Sequence, residues 1–385
     1  VHPIFFAAEY GHSELVKYLL NAGSEADFEN NLGETPMHLA AKNGFLSVIK
    51  VLLGRSGSTF PMDNHTKLTL APIKEAALKG HTQVVKYFLS CVPSPYASAS
   101  SSLPFAAVSG DIALVSMLLR HGADINFKYI ERHKPREALN PHGGRGHEST
   151  ALSVAVTYGH LALVDFLITN GSDVNLKIGF PTLWTSPLHL ALEKGHNEVI
   201  KALLAHGADV DDKDLREAIL QHNKKALEML LAKHGTDKCH FNLLELAAEV
   251  GDTKILQVLS DKGFDQEQAL LKTIEHGQEE IVSLLLAQGT DPDLPSLRES
   301  AIGKAIVHRH IGILEVLLRH GAKIYPEDLR SAKVFAPEHI ATLAEQFPVH
   351  PLSKKNTFPA LYNAWEQQGW RSWDDDFGST RRRLW

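Results

Sequence analysis

A chain of 385 residues is too long to close around one core, so it needs either several domains or a repeated array. With 44% hydrophobic and 22% charged residues it is composed like an ordinary folded, soluble chain, and no apolar run approaches the roughly 18 residues of a membrane-spanning helix. The formal charge of −6 offers no overall attraction to nucleic acid or anionic lipid, and two cysteines cannot make a disulfide framework, which fits a reducing compartment.

In chain order, one pattern recurs. Phe6 to Gly23 holds a short Ala-rich stretch, a Gly, then a second apolar-periodic stretch with paired leucines that leaves at a Gly. Val1 enters partway through such a unit, which reads as a fragment. Met37 to Leu53 repeats the frame. Small Ala40 and Ala41 admit close neighbours, and Val48, Ile49, Leu52 and Leu53 lie on one face at helical spacing. Gly44 sits between the two helices, where a residue without Cβ enters the left-handed region cheaply. Thr35-Pro36, and later Ser186-Pro187, put a capping hydroxyl before a proline at the first helical position. The same frame fits Phe105 to Gly122, Leu152 to Gly171, Leu188 to Gly207, Leu243 to Gly263, Leu271 to Gly289 and Ile302 to Gly321. Poorer copies lie at Ile73 to Val92 and Leu215 to Gly235. A helix pair this short cannot bury its apolar face alone, so the units must stack into an all-α solenoid.

These residues resemble the ankyrin repeat. Thr35-Pro36-Met37-His38 and Ser186-Pro187-Leu188-His189 match its T-P-L-H signature, and Gly11-His12, Gly80-His81, Gly159-His160 and Gly195-His196 match its G-H turn. Gly122-Ala123-Asp124-Ile125-Asn126 and Gly207-Ala208-Asp209-Val210 match its exit. About ten copies and a degenerate last one cover residues 3–347, followed by a Trp-rich segment at 348–385.

The turns between paired helices are expected at Gly11, Gly44, Gly80, Gly110, Gly159, Gly195, His222, Gly251, Gly277 and Arg309, with spacings of 33, 36, 30, 49, 36, 27, 29, 26 and 32. The family period is about 33. The spacing of 49 marks an insertion at 127–149, rich in basic residues, which is either a solvated mobile loop or a finger that contacts an acidic partner. Leu176 to Thr185 places Phe180 and Trp184 at a hairpin, and aromatic residues at exposed loop tips often anchor interfaces. From Asp211 to Asp293 the spacing leaves room only for short turns, so hairpin fingers are confined to the N-terminal half. The Ser/Pro-rich run Pro93 to Pro104 reads as a floppy connector. Asp209 to Asp214 reads as a polar turn with Asp214 as N-cap.

No phosphate loop, nucleophile elbow or metal-ligand spacing is present, and many of the 22 histidines fall at the repeat's structural positions. No metal, no cofactor and no catalysis are therefore expected. After the solenoid, Phe358, Leu361, Tyr362 and Trp365 share one face of a short helix, fit either to cap the last repeats or to dock on a partner.

The resemblance implies a protein-interaction scaffold or adaptor whose partner sits on the concave face, made of finger tips and the ends of the first helices. The positions that carry over are Tyr10, Lys42, Asn43, Tyr158, Glu193 and Lys194 before the turns, with Phe60, Tyr129, Phe180 and Trp184 on fingers and Arg132, Lys134 and Arg136 in the insertion. The expected partner is another protein with an acidic patch, met by a monomer in the cytoplasm or nucleus, without nucleic-acid binding or membrane insertion. Two other readings stand beside it: the sensing segment of a larger receptor or ubiquitin-ligase assembly, and a small-molecule binder or enzyme using the groove.

Overall fold

A computed structural model describes residues 2–31, 33–56, 71–91, 96–130, 148–180, 183–235, 243–264, 266–294, 300–325 and 328. Among the described residues the fold is all-helical apart from two small hairpins. Two compact units divide it, residues 1–234 and 235–385.

In the first unit the helices come in pairs: α1 (Pro3–Glu9) and α2 (Ser13–Asn21), α3 (Pro36–Lys42) and α4 (Leu46–Ser56), α5 (Pro72–Leu78) and α6 (Thr82–Cys91), α7 (Tyr96–Ser109) and α8 (Ile112–Arg120). The hairpin β1 (Tyr129–Ile130) and β2 (Glu148–Ser149) precedes α9 (Ala151–Thr157) and α10 (Leu161–Thr169). A second hairpin, β3 (Ile178–Phe180) and β4 (Leu183–Thr185), precedes α11 (Pro187–Glu193) and α12 (Asn197–Ala205), and α13 (Asp212–Leu220) pairs with α14 (Lys224–His234). The second unit holds α15 (Leu243–Val250), α16 (Thr253–Asp261), α17 (Gln266–Glu275), α18 (Glu279–Ala287), α19 (Ala301–Val307) and α20 (Ile311–Arg319). First helices stack on first helices throughout each unit, and the stack α7–α9 continues past the insertion.

The stacking follows from residue size. Ala40, Ala41, Ala76, Ala77, Ala106, Ala107, Ala155 and Ala191 on the first helices are fully buried, so neighbouring backbones approach closely. Leu52, Leu118, Leu167 and Leu203 on the second helices are likewise shut from water and bury their apolar faces between successive pairs.

All ten expected turn positions have positive φ, from 53° at His222 to 81° at Gly251. The histidine after the glycine then acts as a staple. Nε2 of His81, His160 and His196 donates to the carbonyls of Lys42, Val108 and Thr157 in the preceding pair, at 3.0, 3.0 and 3.1 Å. Each acceptor lies two residues before a turn glycine. The staple ring also lies over that glycine: a Cβ on Gly44 would sit 2.6 Å from His81 Nδ1, and one on Gly159 2.9 Å from His196 Cε1. Between successive exits, Asn126 Oδ1 accepts from Asp173 N and Asn175 Oδ1 from Asp209 N, both at 2.9 Å.

Two expectations are corrected. The Ser-rich run is not a connector: Tyr96–Ser109 is one 14-residue helix with Pro104 inside it. Ser98, Ser100 and Ser102 are buried, Ser102 Oγ donating to Ser98 O at 2.7 Å, while Ser100 Oγ accepts from Asp124 N at 2.9 Å. Small hydroxyls with partners in hand can be buried at little cost. Asp211, not Asp214, is the N-cap of α13; Asp214 is the third helical residue, and the two exchange side-chain bonds with each other's backbone N–H in a capping box. Cys91 is a free thiol. Cys239, the Trp-rich segment at 348–385, the inner part of the insertion and the face formed by Phe358, Leu361, Tyr362 and Trp365 lie outside the described residues.

Candidate protein-binding surface

In the first unit the second hairpin and the ends of first helices carry the exposed aromatic residues Trp184, Tyr10 and Tyr158, while Tyr18, 69% exposed, lies apart from them on the second helix α2. The geometry of the two hairpins is set by Lys128. Its ammonium donates to Glu148 Oε2 on β2 at 2.9 Å and to the Lys177 carbonyl just before β3 at 2.8 Å, and lies 5.2 Å from the Trp184 ring centroid. One cation therefore ties β1, β2 and the second hairpin together. Trp184, paired across β3–β4 with Gly179, is 43% exposed. A glycine opposite leaves the indole without a cross-strand side chain to cover it. The sequence marks Trp184 at the hairpin and Lys128 only as one basic residue of the insertion, because nothing in its spacing says that it reaches a carboxylate 20 residues away.

Tyr129 behaves differently from the expectation. Its ring meets Phe105 edge-on at 4.9 Å, and the buried Lys74 ammonium lies 5.2 Å from its centroid. It anchors the root of the first hairpin to α5 and α7. Phe180 closes β3 opposite Leu183; its side chain is outside the description. Phe60, Arg132, Lys134 and Arg136 are outside it altogether. The segment 131–147 that joins β1 to β2 carries the last three.

The remaining candidates occupy equivalent positions at the inner ends of first helices. Tyr10, 63% exposed, caps α1. Lys42 ends α3 and is exposed. Asn43 donates through Nδ2 to Glu9 O at 3.3 Å and Leu39 O at 3.0 Å, bonding to the carbonyl two residues before Gly11 as the histidine staples do elsewhere. Tyr158 caps α9, stacks on His160 at 6.0 Å, and is 38% exposed; partial burial raises its pKa above the ordinary 10, so the phenol stays a donor at neutral pH. Glu193 and Lys194 sit half-buried at the end of α11. Phe6, which sequence reading passed over, is 50% exposed on α1, one helical turn before Tyr10. Phe28 is 48% exposed although its ring meets Phe5 at 6.1 Å and His2 at 5.8 Å.

Below this surface a polar pair links two repeats. His189 Nδ1 lies 3.1 Å from Asp214 Oδ1 on the next first helix. The bond to Asp214 raises the imidazole pKa above 6.5 against an opposing effect of burial, while burial raises that of Asp214 itself. Among the described residues there is no group of three or more histidine, cysteine or acidic side chains placed to hold a metal. None of the described helices is long and apolar enough to cross a membrane.

The family model for ankyrin repeats, of three copies, matches residues 2–63, 152–242 and 244–328, more than half of the chain. An ankyrin repeat and KH domain-containing protein, mask-1 of Caenorhabditis elegans, is 36% identical over 120 residues, 31% of this chain and 4% of that protein. The ankyrin repeat protein nuc-2 of Neurospora crassa is 32% identical over 122 residues, 31% of this chain and 11% of that protein. The chain thus spans only a small part of the length of these relatives. Among solved structures, the human ASB11 ankyrin repeat domain superposes with a TM-score of 0.39 at 19% identity, covering 69% of this chain and 99% of that one. With its ten left-handed turns, stapled helix pairs and matching family model, the chain belongs to the ankyrin-repeat family.

Proposed function

We propose that this protein is a non-catalytic scaffold or adaptor that binds a partner protein on the hairpins and first-helix ends of its first unit. Trp184 is the observation that carries the reading. An indole 43% exposed, with Lys128 held against its ring by two further bonds, is already oriented, so burying it under a partner loses little side-chain freedom. Tyr158, Glu193, Lys194, Lys42 and Tyr10 supply the surrounding contacts, and the basic segment with Arg132, Lys134 and Arg136 meets an acidic patch on the partner. A location in the cytoplasm or nucleus belongs to the same reading. The ankyrin fold is a protein-interaction fold and is typically non-catalytic, which agrees with this reading.

The test is to isolate a partner by affinity capture on the intact chain, purify it, and measure binding kinetics with variants. Trp184→Ala should weaken affinity by at least about tenfold through faster dissociation, in line with an interface hot spot. Reversal of Arg132, Lys134 and Arg136 to Glu should slow association and leave dissociation nearly unchanged. Equal kinetics for Trp184→Ala and the parent chain would move the interface elsewhere.

A further inference from the structure

Eight of the ten inter-helix turns use glycine in the left-handed region, and Arg309, at φ 61°, is one of the two exceptions. A Cβ strains the backbone there, and such strain persists where a side chain does something glycine cannot. Arg309 is exposed, and its side chain makes no hydrogen bond or ion pair with the described residues. Among the described residues, then, the guanidinium has no structural task at the turn.

Its surroundings in the second unit hold two lysines beside two carboxylates, Glu275 and Glu279, the latter packed against Gly312. Glu275 Oε2 lies 3.4 Å from Lys272 Nζ on the same helix and 3.6 Å from Lys304 Nζ on α19. One carboxylate thus holds two ammonium groups side by side on adjacent first helices. His308 stacks on His310 at 6.0 Å and 7°, and His310 Nε2 donates to the Glu275 carbonyl at 3.4 Å, which fixes the turn that bears Arg309 against α17. Val307, at the last position of α19, is 41% exposed beside these charges.

We propose that the inner ends of α17 and α19 form a docking site for an acidic peptide segment of a partner protein, with Arg309 as its main carboxylate contact and Val307 as an apolar seat. Guanidinium pairs with carboxylate through two parallel bonds, which a lysine at this turn does not reproduce. Three permanent cations beside two resident carboxylates are few for a polyanion, and the chain's charge of −6 opposes nucleic acid. The site uses none of the residues of the first unit's surface, so either can fail without the other.

The experiment uses the full chain and a fluorescein-labelled twelve-residue peptide of alternating glutamate and leucine, with anisotropy read at low and high salt. Binding should be salt-sensitive and fall at least about tenfold in Arg309→Gly and in the double variant Lys272→Glu/Lys304→Glu. Arg309→Gly relieves the turn, so its melting temperature should equal or exceed the parent's, and its lost binding cannot be ascribed to unfolding. No binding to the parent chain, or parent-like binding to Arg309→Gly, overturns the proposal. So does tighter binding of a single-stranded RNA of equal length that the same variants abolish.

Discussion

At Gly44 two independent constraints meet. Its φ of 79° is a region that L side chains rarely adopt, and the His81 ring stands where a Cβ would be, 2.6 Å away. The histidine bonds to Lys42 O only if it lies flat over that glycine, so the G-H pair works as one unit across two repeats. Gly44→Ala should cost more than the 1–2 kcal/mol, or thereabouts, of a left-handed alanine, because the ring must also move. His222 is the reverse case: a Cβ already stands in the left-handed region at φ 53°. His222→Gly should relieve about 1 kcal/mol of backbone strain, set against the interaction that His222 makes. Urea unfolding of the two variants beside the parent checks both. A gain for Gly44→Ala would mean that this turn is not left-handed. The turn residues were legible in the sequence because glycine and histidine punctuate it, and repeat register carried the reading to His222 and Arg309, where the glycine is missing. Asp214 was misread by three residues, since both Asp211 and Asp214 have cap chemistry and only geometry says which one precedes the helix.

The elements show where pattern fails. Helix pairs with alternating Ala and Leu faces are visible from spacing alone. In α7, serine and proline suggest a turn until the neighbours supply burial and each hydroxyl finds a carbonyl or an N–H. The hairpins were located by excess length, but their bracing by Lys128 depends on contacts between distant segments. The coupling between α11 and α13 through His189 and Asp214 yields a pH prediction. The folded imidazole pKa lies above its ordinary 6.5 because Asp214 accepts its proton, so the stabilisation is complete below about pH 6.5 and is lost as pH rises through the raised value. Burial raises the pKa of Asp214, so forming its carboxylate costs stability as pH climbs through the carboxylate range. Comparing His189→Gln with the parent chain cancels most of that effect around neutral pH. The stability difference between the two chains, from urea midpoints, should therefore be largest between the carboxylate range and about pH 6.5, where Asp214 is ionised and His189 protonated, and shrink as pH passes above neutrality. A difference that stays constant across that range would show that His189 acts by packing alone.

Over the whole molecule, two compact units each repeat the same stack, and the differences between repeats mark the surfaces available for recognition. The first unit has hairpins, exposed aromatic side chains and the basic insertion; the second has a pair of lysine-bearing helix ends. The chain's overall charge of −6 hides this division, so composition speaks only to overall attraction and does not reveal the local basic sites. The most direct test of the account is hydrogen–deuterium exchange of the full chain with and without its captured, purified partner. Binding should slow exchange at residues 129–130, 148–149 and 178–185 and at the inner ends around Tyr158 and Lys194, and leave the outer faces of α8, α10 and α12 unchanged. Slowed exchange confined to those second helices, with the hairpins unaffected, would contradict it.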